Sequence, residues 1–232
     1  LGFNAPIITY SHEWEKEKTV TITFTDKANV TNKYRVLTNN QFDLTGWKNV
    51  TTTTQTEVIK NYHYYINAKS TSGSVNLTTS EQIGYVDNEN DINNTKPVIE
   101  VVDYKNPVVV NTNEVTLNMT DTLSGVGTYC ISTKNDVSNC VGTGENTDLN
   151  KWVVASSEPE VRELSLQHEI ENGGTYYAFL KDYVGNLSEV TPFTVYRVTY
   201  DLNGGSGNVP HQIKVKGTSL TIISVVILSL GL

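Results

Sequence analysis

The chain repeats itself, and this repeat constrains its fold more than any other feature. Residues 20–36 read VTITFTDKANVTNKYRV, and residues 115–131 read VTLNMTDTLSGVGTYCI. In both copies apolar and polar residues alternate, the alternation breaks at an aspartate (Asp26 or Asp121), and a second alternating run follows. Period-two alternation is typical of a β-strand with one buried face. The repeat therefore predicts two copies of a strand–turn–strand unit.

Each copy continues in the same way after this unit. A tryptophan follows, Trp47 or Trp152, and then a Tyr-Tyr strand, YYINAKSTSG from Tyr64 and YYAFLKDYVG from Tyr176. One copy thus takes about 90 to 100 residues, the usual size of a β-sandwich domain. Thr, Val and Tyr suit a pleated, half-buried surface, and no long stretch has apolar residues at helical spacing. We therefore predict an all-β chain with two tandem β-sandwiches.

A polar stretch, YVDNENDINNTKP at residues 85–97, separates the two copies. A linker this short limits bending between neighbouring domains. After the second copy, residues 197–222 read as a strand, a Gly-rich turn at Asn203-Gly204-Gly205, and another strand, which predicts a hairpin. The predicted domains are residues 1–90, 91–196 and 197–232.

The alternation also predicts which side chains fill each core, because inward positions of two facing sheets pack together. The residues expected in the first core are Ile22, Phe24, Tyr34, Trp47 and Ile66. Those expected in the second core are Leu117, Met119, Tyr129, Trp152 and Phe179.

The charge of the chain bears on its partners. The formal net charge is −8, and Lys and Arg form no cluster along the sequence. Nucleic-acid binding requires clustered cations that neutralise phosphates, so we expect no nucleic-acid partner. We expect neighbouring domains of the same polypeptide as partners.

The two ends of the sequence suggest a piece of a longer precursor. The chain starts at Leu1 without a start Met or a signal peptide, so we expect further sequence upstream. Residues 219–232 are apolar and uncharged, but a membrane-spanning helix needs about 20 residues. We therefore expect a strand there rather than a truncated anchor, and no membrane span within this fragment.

Three segments resemble a known family. TKPVI at residues 95–99, DTLSGV at 121–126 and YYAFLKDYVGNLS at 176–188 look like the bacterial immunoglobulin-like modules of large surface and secreted proteins. The resemblance implies two immunoglobulin-like β-sandwiches and an extracellular or bacterial cell-surface location. The first copy departs from the pattern, with Ser70 where the second has Asp182. The residues expected to form the turns of the second copy are Asp121, Gly125, Asp182, Gly185 and Asn186.

The last segment resembles a second family. Residues 197–222, RVTYDLNGGSGNVPHQIKVKGTSLTI, are similar to the opening of the internalin-type B repeat, a small β-grasp module of bacterial surface proteins. Such repeats continue with an aromatic Gly-Trp strand that this chain lacks. The resemblance therefore implies an incomplete C-terminal β-hairpin module.

The two cysteines, Cys130 and Cys140, flank a turn in CISTKNDVSNC. A disulfide across this hairpin is the favoured reading, and it would add roughly 2–3 kcal/mol of stability. Two unpaired thiols are the first alternative, and a metal or catalytic pair is the second, although metal sites need more than two ligands. A disulfide would fit an oxidising, extracellular compartment.

No catalytic motif is present, so we do not expect an enzyme or a cofactor. The sequence has no nucleophile elbow, zinc-protease helix, phosphate loop or dinucleotide fingerprint. The linker acids Asp87, Glu89 and Asp91 could gather around Ca²⁺, which prefers oxygen ligands. A solvated polar linker is the favoured reading of these three residues.

Three functions are compatible with these features. The first is a non-catalytic structural spacer, or stalk, within a bacterial surface protein. The second is an adhesin-type module that binds a host protein or glycan through loops such as residues 39–55 and 141–151. The third is a set of accessory domains in a larger secreted hydrolase. Fold alone does not decide among the three.

Overall fold

A computed structural model describes residues 2–38, 45–91, 94–104, 113–207 and 210–218. Within these ranges the regular elements are β-strands and one short 3-10 helix, Val137–Asn139, which confirms the all-β prediction. The chain divides into two compact units, Leu1–Thr95 and Lys96–Leu232. The first division therefore falls five residues after the expected one, and residues 197–232 group with the second unit.

The first unit has two antiparallel sheets. Its strands are β1 (Ile7–Thr9), β2 (Lys18–Thr23), β3 (Thr31–Leu37), β4 (Lys48–Val50), β5 (Thr54–Ile59), β6 (Tyr64–Ser72) and β7 (Val75–Ile83). One sheet has the order β1-β2-β5 and the other β4-β3-β6-β7. Alternating residues of both sheets form the buried core of this unit.

The second unit repeats this plan with additional strands. They are β8 (Val98–Asp103), β9 (Glu114–Thr120), β10 (Val126–Ser132), β11 (Thr143–Gly144), β12 (Trp152–Val154), β13 (Glu163–Glu169), β14 (Gly174–Asp182), β15 (Thr191–Val198) and β16 (Gln212–Val215). The orders are β13-β9-β8 and β11-β12-β10-β14-β15-β16. The pairs are antiparallel except β11 with β12.

The sequence repeat is preserved in the pairing register. Tyr34 of β3 lies opposite Ala68 of β6, and Tyr129 of β10 lies opposite Leu180 of β14. Ala68 and Leu180 occupy the same place in the two Tyr-Tyr strands. A shift of one residue would turn every side chain to the other face. The shared register therefore keeps equivalent residues on equivalent faces in both units.

Most of the predicted core residues are buried. In the first unit the confirmed positions are Ile22, Phe24, Tyr34 and Ile66. In the second unit they are Leu117, Met119 and Tyr129. These side chains alternate along their strands and point between the two sheets, as half-buried strands require.

The two tryptophans and Phe179 were placed wrongly. Trp47 and Trp152 are only half-buried, and each lies against a lysine of the neighbouring long strand. Those lysines, Lys69 and Lys181, follow inward-facing Ala68 and Leu180 and so point to the outer face of the sheet. Phe179 is buried, but in a small cluster with the cysteines and not in the main core. The alternation of one strand does not reveal which face a preceding loop will cover.

Strand β16 belongs to the six-stranded sheet of the second unit. It pairs with the end of β15 through four partners, from Val195 opposite Val215 to Val198 opposite Gln212. The predicted strand–turn–strand is present, but its first strand is the end of β15 and not the start of a separate module. Residues 219–232 lie outside the described residues. Within the described part, no helix has the length and apolarity needed to cross a bilayer.

Candidate functional site

Asp121 closes the turn between β9 and β10. Its Oδ2 accepts hydrogen bonds from the backbone N–H of Leu123, at 3.1 Å, and of Gly125, at 2.7 Å. Gly125 has φ +97°, a conformation that glycine adopts without steric cost. The Asp121 side chain therefore replaces backbone pairing where the strand alternation breaks.

Asp182 closes the turn that follows β14. Its Oδ1 accepts a hydrogen bond from Asn186 N at 2.7 Å, and its Oδ2 accepts one from Asn186 Nδ2 at 2.6 Å. Gly185 N donates to Asp182 O at 3.1 Å, and Gly185 has φ +92°. Three of the expected turn residues, Asp182, Gly185 and Asn186, thus contact one another in the turn after β14.

The two turns lie side by side. Gly125 O accepts a hydrogen bond from Tyr183 N at 2.7 Å, and carboxylate oxygens of Asp121 and Asp182 lie within 4.8 Å of each other. Both side chains are buried. Two buried carboxylates repel each other, and the amide donors of the turns offset this repulsion. The hydrogen bonds that the two carboxylates accept brace both turns.

The expectation of a solvated linker is wrong for two of its three acids, because Asp87 and Asp91 are buried. Asp87 Oδ1 accepts a hydrogen bond from Asn94 Nδ2 at 2.6 Å, and Asp91 Oδ2 accepts one from Tyr62 N at 2.7 Å. Glu89 is exposed. Two of the three acids therefore serve as acceptors within the first unit. Calcium binding by these acids stays a prediction, and a melting temperature unchanged by millimolar calcium would contradict it.

Cys130 and Cys140 form a disulfide, as the hairpin spacing predicted. Their Cα atoms are 6.2 Å apart, within the usual range for a disulfide. The bridge packs on buried Phe179 and on partly buried apolar side chains around it: Val137, Trp152, Tyr177, Leu187 and Val190. This second cluster lies on the outer face of the six-stranded sheet, away from the main core. The bridge closes the loop that carries the 3-10 helix.

The loop inside the disulfide has its own polar frame. Asp136 caps the 3-10 helix by accepting a hydrogen bond from Ser138 N at 2.8 Å. Hydrogen bonds from the backbone and side chain of Ser138 hold the pKa of the exposed Asp136 carboxyl below its usual value. Asn139 Nδ2 donates to Ser132 Oγ at 3.1 Å and to Asn150 Oδ1. The disulfide and these hydrogen bonds therefore stabilise the conformation of the loop.

A buried polar pair in the second core escaped the sequence analysis. Tyr129 and His168 are fully buried, with Tyr129 Oη 3.2 Å from His168 Nδ1. Within the described residues His168 Nε2 has no hydrogen-bond partner. Burial lowers the pKa of His168 to about 4 and raises that of Tyr129 to about 12. The alternation of β13, where His168 continues the inward series of Leu164 and Leu166, could have indicated this position.

No protein-family model matches the chain, and no curated protein matches it. Among solved structures, a similar one is that of domains 7, 8 and 9 of the S-layer protein SbsC. It is 13% identical, has a TM-score of 0.23, and the match covers 83% of this chain and 59% of that one. A TM-score this low does not establish a shared fold, and the chain spans less than two thirds of that structure.

Proposed function

We propose that this chain is a non-catalytic structural segment, a stalk or spacer, of a bacterial extracellular or cell-surface protein. The observation that carries the proposal is the repeated β-sandwich with its preserved register. Tandem copies of one self-contained unit lengthen a protein without adding a reactive centre. Asp121 and Asp182 serve as hydrogen-bond acceptors for the backbone of their turns.

The strand orders support an immunoglobulin-like assignment for both units. An immunoglobulin constant-type sandwich places its first, second, fourth and fifth strands in one sheet and the third, sixth and seventh in the other. The first unit keeps this division except for its fourth strand, which pairs with β3. The first unit has the orders β1-β2-β5 and β4-β3-β6-β7. The second unit keeps the same neighbours, with β13-β9-β8 facing a sheet centred on β10 and β14. The turn motif at residues 181–186, which resembles that of bacterial immunoglobulin-like modules, supports the same assignment from the sequence.

The disulfide supports the extracellular location. Bridges such as Cys130–Cys140 form and persist in oxidising compartments and are rare in the bacterial cytosol. Non-reducing mass spectrometry of protein collected from the cell surface tests this part of the proposal. The expected mass is two hydrogens lower than that of the reduced protein, and two free thiols in the exported protein would contradict it.

Single-molecule force spectroscopy tests the structural role. A stalk of two sandwiches is expected to give two unfolding events per molecule, one for each unit. The disulfide removes a loop of sequence separation 10 from the extension of the second unit. Because an extended residue spans at most about 3.5 Å, reductant should lengthen that event by about 3 nm. The first unit should not change.

The matched control is the double variant Cys130→Ser with Cys140→Ser, which should show the longer extension without reductant. A single merged unfolding event, or a chain that extends without measurable resistance, would contradict the stalk proposal.

A further inference from the structure

The loop between β15 and β16 contains a tight turn with an Asn-Gly dipeptide at its centre. Asn203 has φ +46° and Gly204 has φ +86°, the pair of left-handed residues that a two-residue hairpin turn requires. Gly205 N closes the turn by donating to Leu202 O at 2.8 Å, and Asn203 N donates to Asp201 Oδ1 at 2.9 Å. Local hydrogen bonds therefore define the conformation of this turn.

The dipeptide is open to water. Asn203 and Gly204 are both exposed, and a Cβ on Gly204 would have no heavy atom within 4 Å. Within the described part of the chain, the side-chain amide of Asn203 forms no hydrogen bond. Local opening of an exposed turn costs little free energy. Protein contacts therefore do little to keep the Asn203 carboxamide away from the next backbone nitrogen.

An asparagine followed by glycine reacts with its own backbone. The Gly204 nitrogen gives up its proton to hydroxide and attacks Cγ of Asn203, so that an N–Cγ bond forms. The Cγ–Nδ2 bond then breaks, and Nδ2 takes a proton from water and leaves as ammonia. Water opens the resulting five-membered succinimide ring at either carbonyl, which gives aspartate or isoaspartate. Glycine favours the attack because it has no Cβ beside the nucleophilic nitrogen.

The chain contains a second Asn-Gly dipeptide, Asn172-Gly173, between β13 and β14. Here the backbone is held, because Asn172 O accepts a hydrogen bond from the Tyr176 hydroxyl at 2.8 Å. A Cβ on Gly173 would lie 3.2 Å from Arg197 N and 3.3 Å from Val195 O, so this glycine packs closely against β15. Ring closure requires the peptide between the two residues to rotate, and these contacts restrain that rotation. The two dipeptides thus share their chemistry and differ in their surroundings.

We propose that Asn203 is a site of spontaneous deamidation, with water as the co-reactant and no enzyme, and that Asn172 is protected by its backbone contacts. Each event places a negative charge two residues from Asp201. The isoaspartate product also adds a backbone atom to the turn. This property goes beyond the structural role, because it gives the chain one position whose charge changes with time after synthesis.

The test follows both dipeptides in one sample of the full chain. The protein is kept in mildly alkaline buffer and digested with trypsin, and the peptides of residues 163–181 and 198–214 are analysed by mass spectrometry. In the folded chain Asn203 should react at least about fivefold faster than Asn172. In about 8 M urea the two rates should agree within about twofold, because the dipeptides are the same and the fold is lost.

Variants identify the reacting groups. Asn203→Gln should abolish the change at residue 203, because its longer side chain would have to close a larger ring. Asn172→Gln is the matched control and should leave the Asn203 rate within about twofold. The Asn203 rate should rise with pH, since the attacking nitrogen must lose its proton.

The products identify the route, because only a succinimide gives both aspartate and isoaspartate, which chromatography separates. Aspartate as the only product at residue 203 would exclude the succinimide and overturn the proposal. Equal rates at the two dipeptides in the folded chain, or a faster reaction at Asn172, would overturn it too. So would an Asn203 that stays intact in the folded chain while it reacts in urea.

Discussion

Asp103 fastens strand β16 to strand β8. Its Oδ1 accepts a hydrogen bond from Val215 N at 2.8 Å, and its carboxylate forms an ion pair with Lys214. Both side chains of this pair are largely shielded from water. Strand β8 belongs to the three-stranded sheet and β16 to the six-stranded one. One carboxylate thus joins the two sheets of the second unit at the strand that ends the described chain.

Replacing Asp103 by alanine should loosen β16 without unfolding the rest of the unit. A hydrogen bond to a charged group contributes about 1.5–3 kcal/mol, and this bond would be lost together with the ion pair. Hydrogen exchange should speed up at residues 212–215 and change little in β10 and β14. Glu100→Ala, an exposed acid of the same strand, is the control and should leave exchange unaltered. Unchanged protection of residues 212–215 in Asp103→Ala would show that Asp103 does not hold the strand.

The two turn glycines should respond differently to alanine. Both have positive φ, +97° for Gly125 and +92° for Gly185, so each substitution costs about 1–2 kcal/mol from the left-handed backbone. A Cβ on Gly125 would also lie 2.7 Å from Val161 N and 2.8 Å from Glu160 N, whereas nothing lies within 4 Å of one on Gly185. Urea unfolding should therefore show Gly125→Ala as the more destabilising by about 1 kcal/mol or more. Equal losses would mean that the neighbouring backbone yields freely at Gly125.

The sequence predicted features that depend on neighbours in the chain. The Asp121 and Asp182 turns and the Cys130–Cys140 bridge follow from short spacings and from residues suited to turns. The buried positions followed from strand alternation, as Tyr34 and Tyr129 show. In each case the information lies within a few residues of the site.

Features that depend on pairing between distant strands could not be predicted. Lys33 and Lys69 are 36 positions apart and become neighbours only through the register of β3 with β6. Asp103 and Val215 meet because the hairpin after β15 folds back onto β8, and 112 positions separate them. The repeat predicts Trp47 in the core, whereas the structure places it against Lys69 on the outer face of the sheet. Nothing in the local sequence of Trp47 shows which side of the sheet its loop covers. Registers between strands are set by the whole fold, so spacing along the chain does not reveal the Lys33–Lys69 pair.

His168 should make the second unit less stable in mild acid. Desolvation by burial lowers its folded-state pKa to about 4, although the nearby Asp148 carboxylate opposes the shift, whereas the unfolded chain has the ordinary value of about 6.5. Between these two values the unfolded state binds more protons than the folded state, so stability falls as the pH falls. The contribution is fully present above about pH 6.5 and decreases by at most about 1.4 kcal/mol for each pH unit down to about 4.

The measurement is the free energy of urea unfolding at several pH values between about 7.5 and about 4.5, a range that covers the unfolded-state pKa and most of the interval down to the folded-state value. Carboxylates also begin to take up protons at the lower end, so the informative quantity is the difference from a variant without the imidazole. His168→Gln should remove the part of the pH dependence of the unfolding free energy that is due to His168. His12 is an exposed histidine of the first unit, and His12→Gln should leave that pH dependence unchanged. Tyr129→Phe should also keep it, because desolvation and not the tyrosine hydroxyl causes the shift. A difference between the unchanged chain and His168→Gln that does not vary with pH would show that His168 can take up its proton without disturbing the fold.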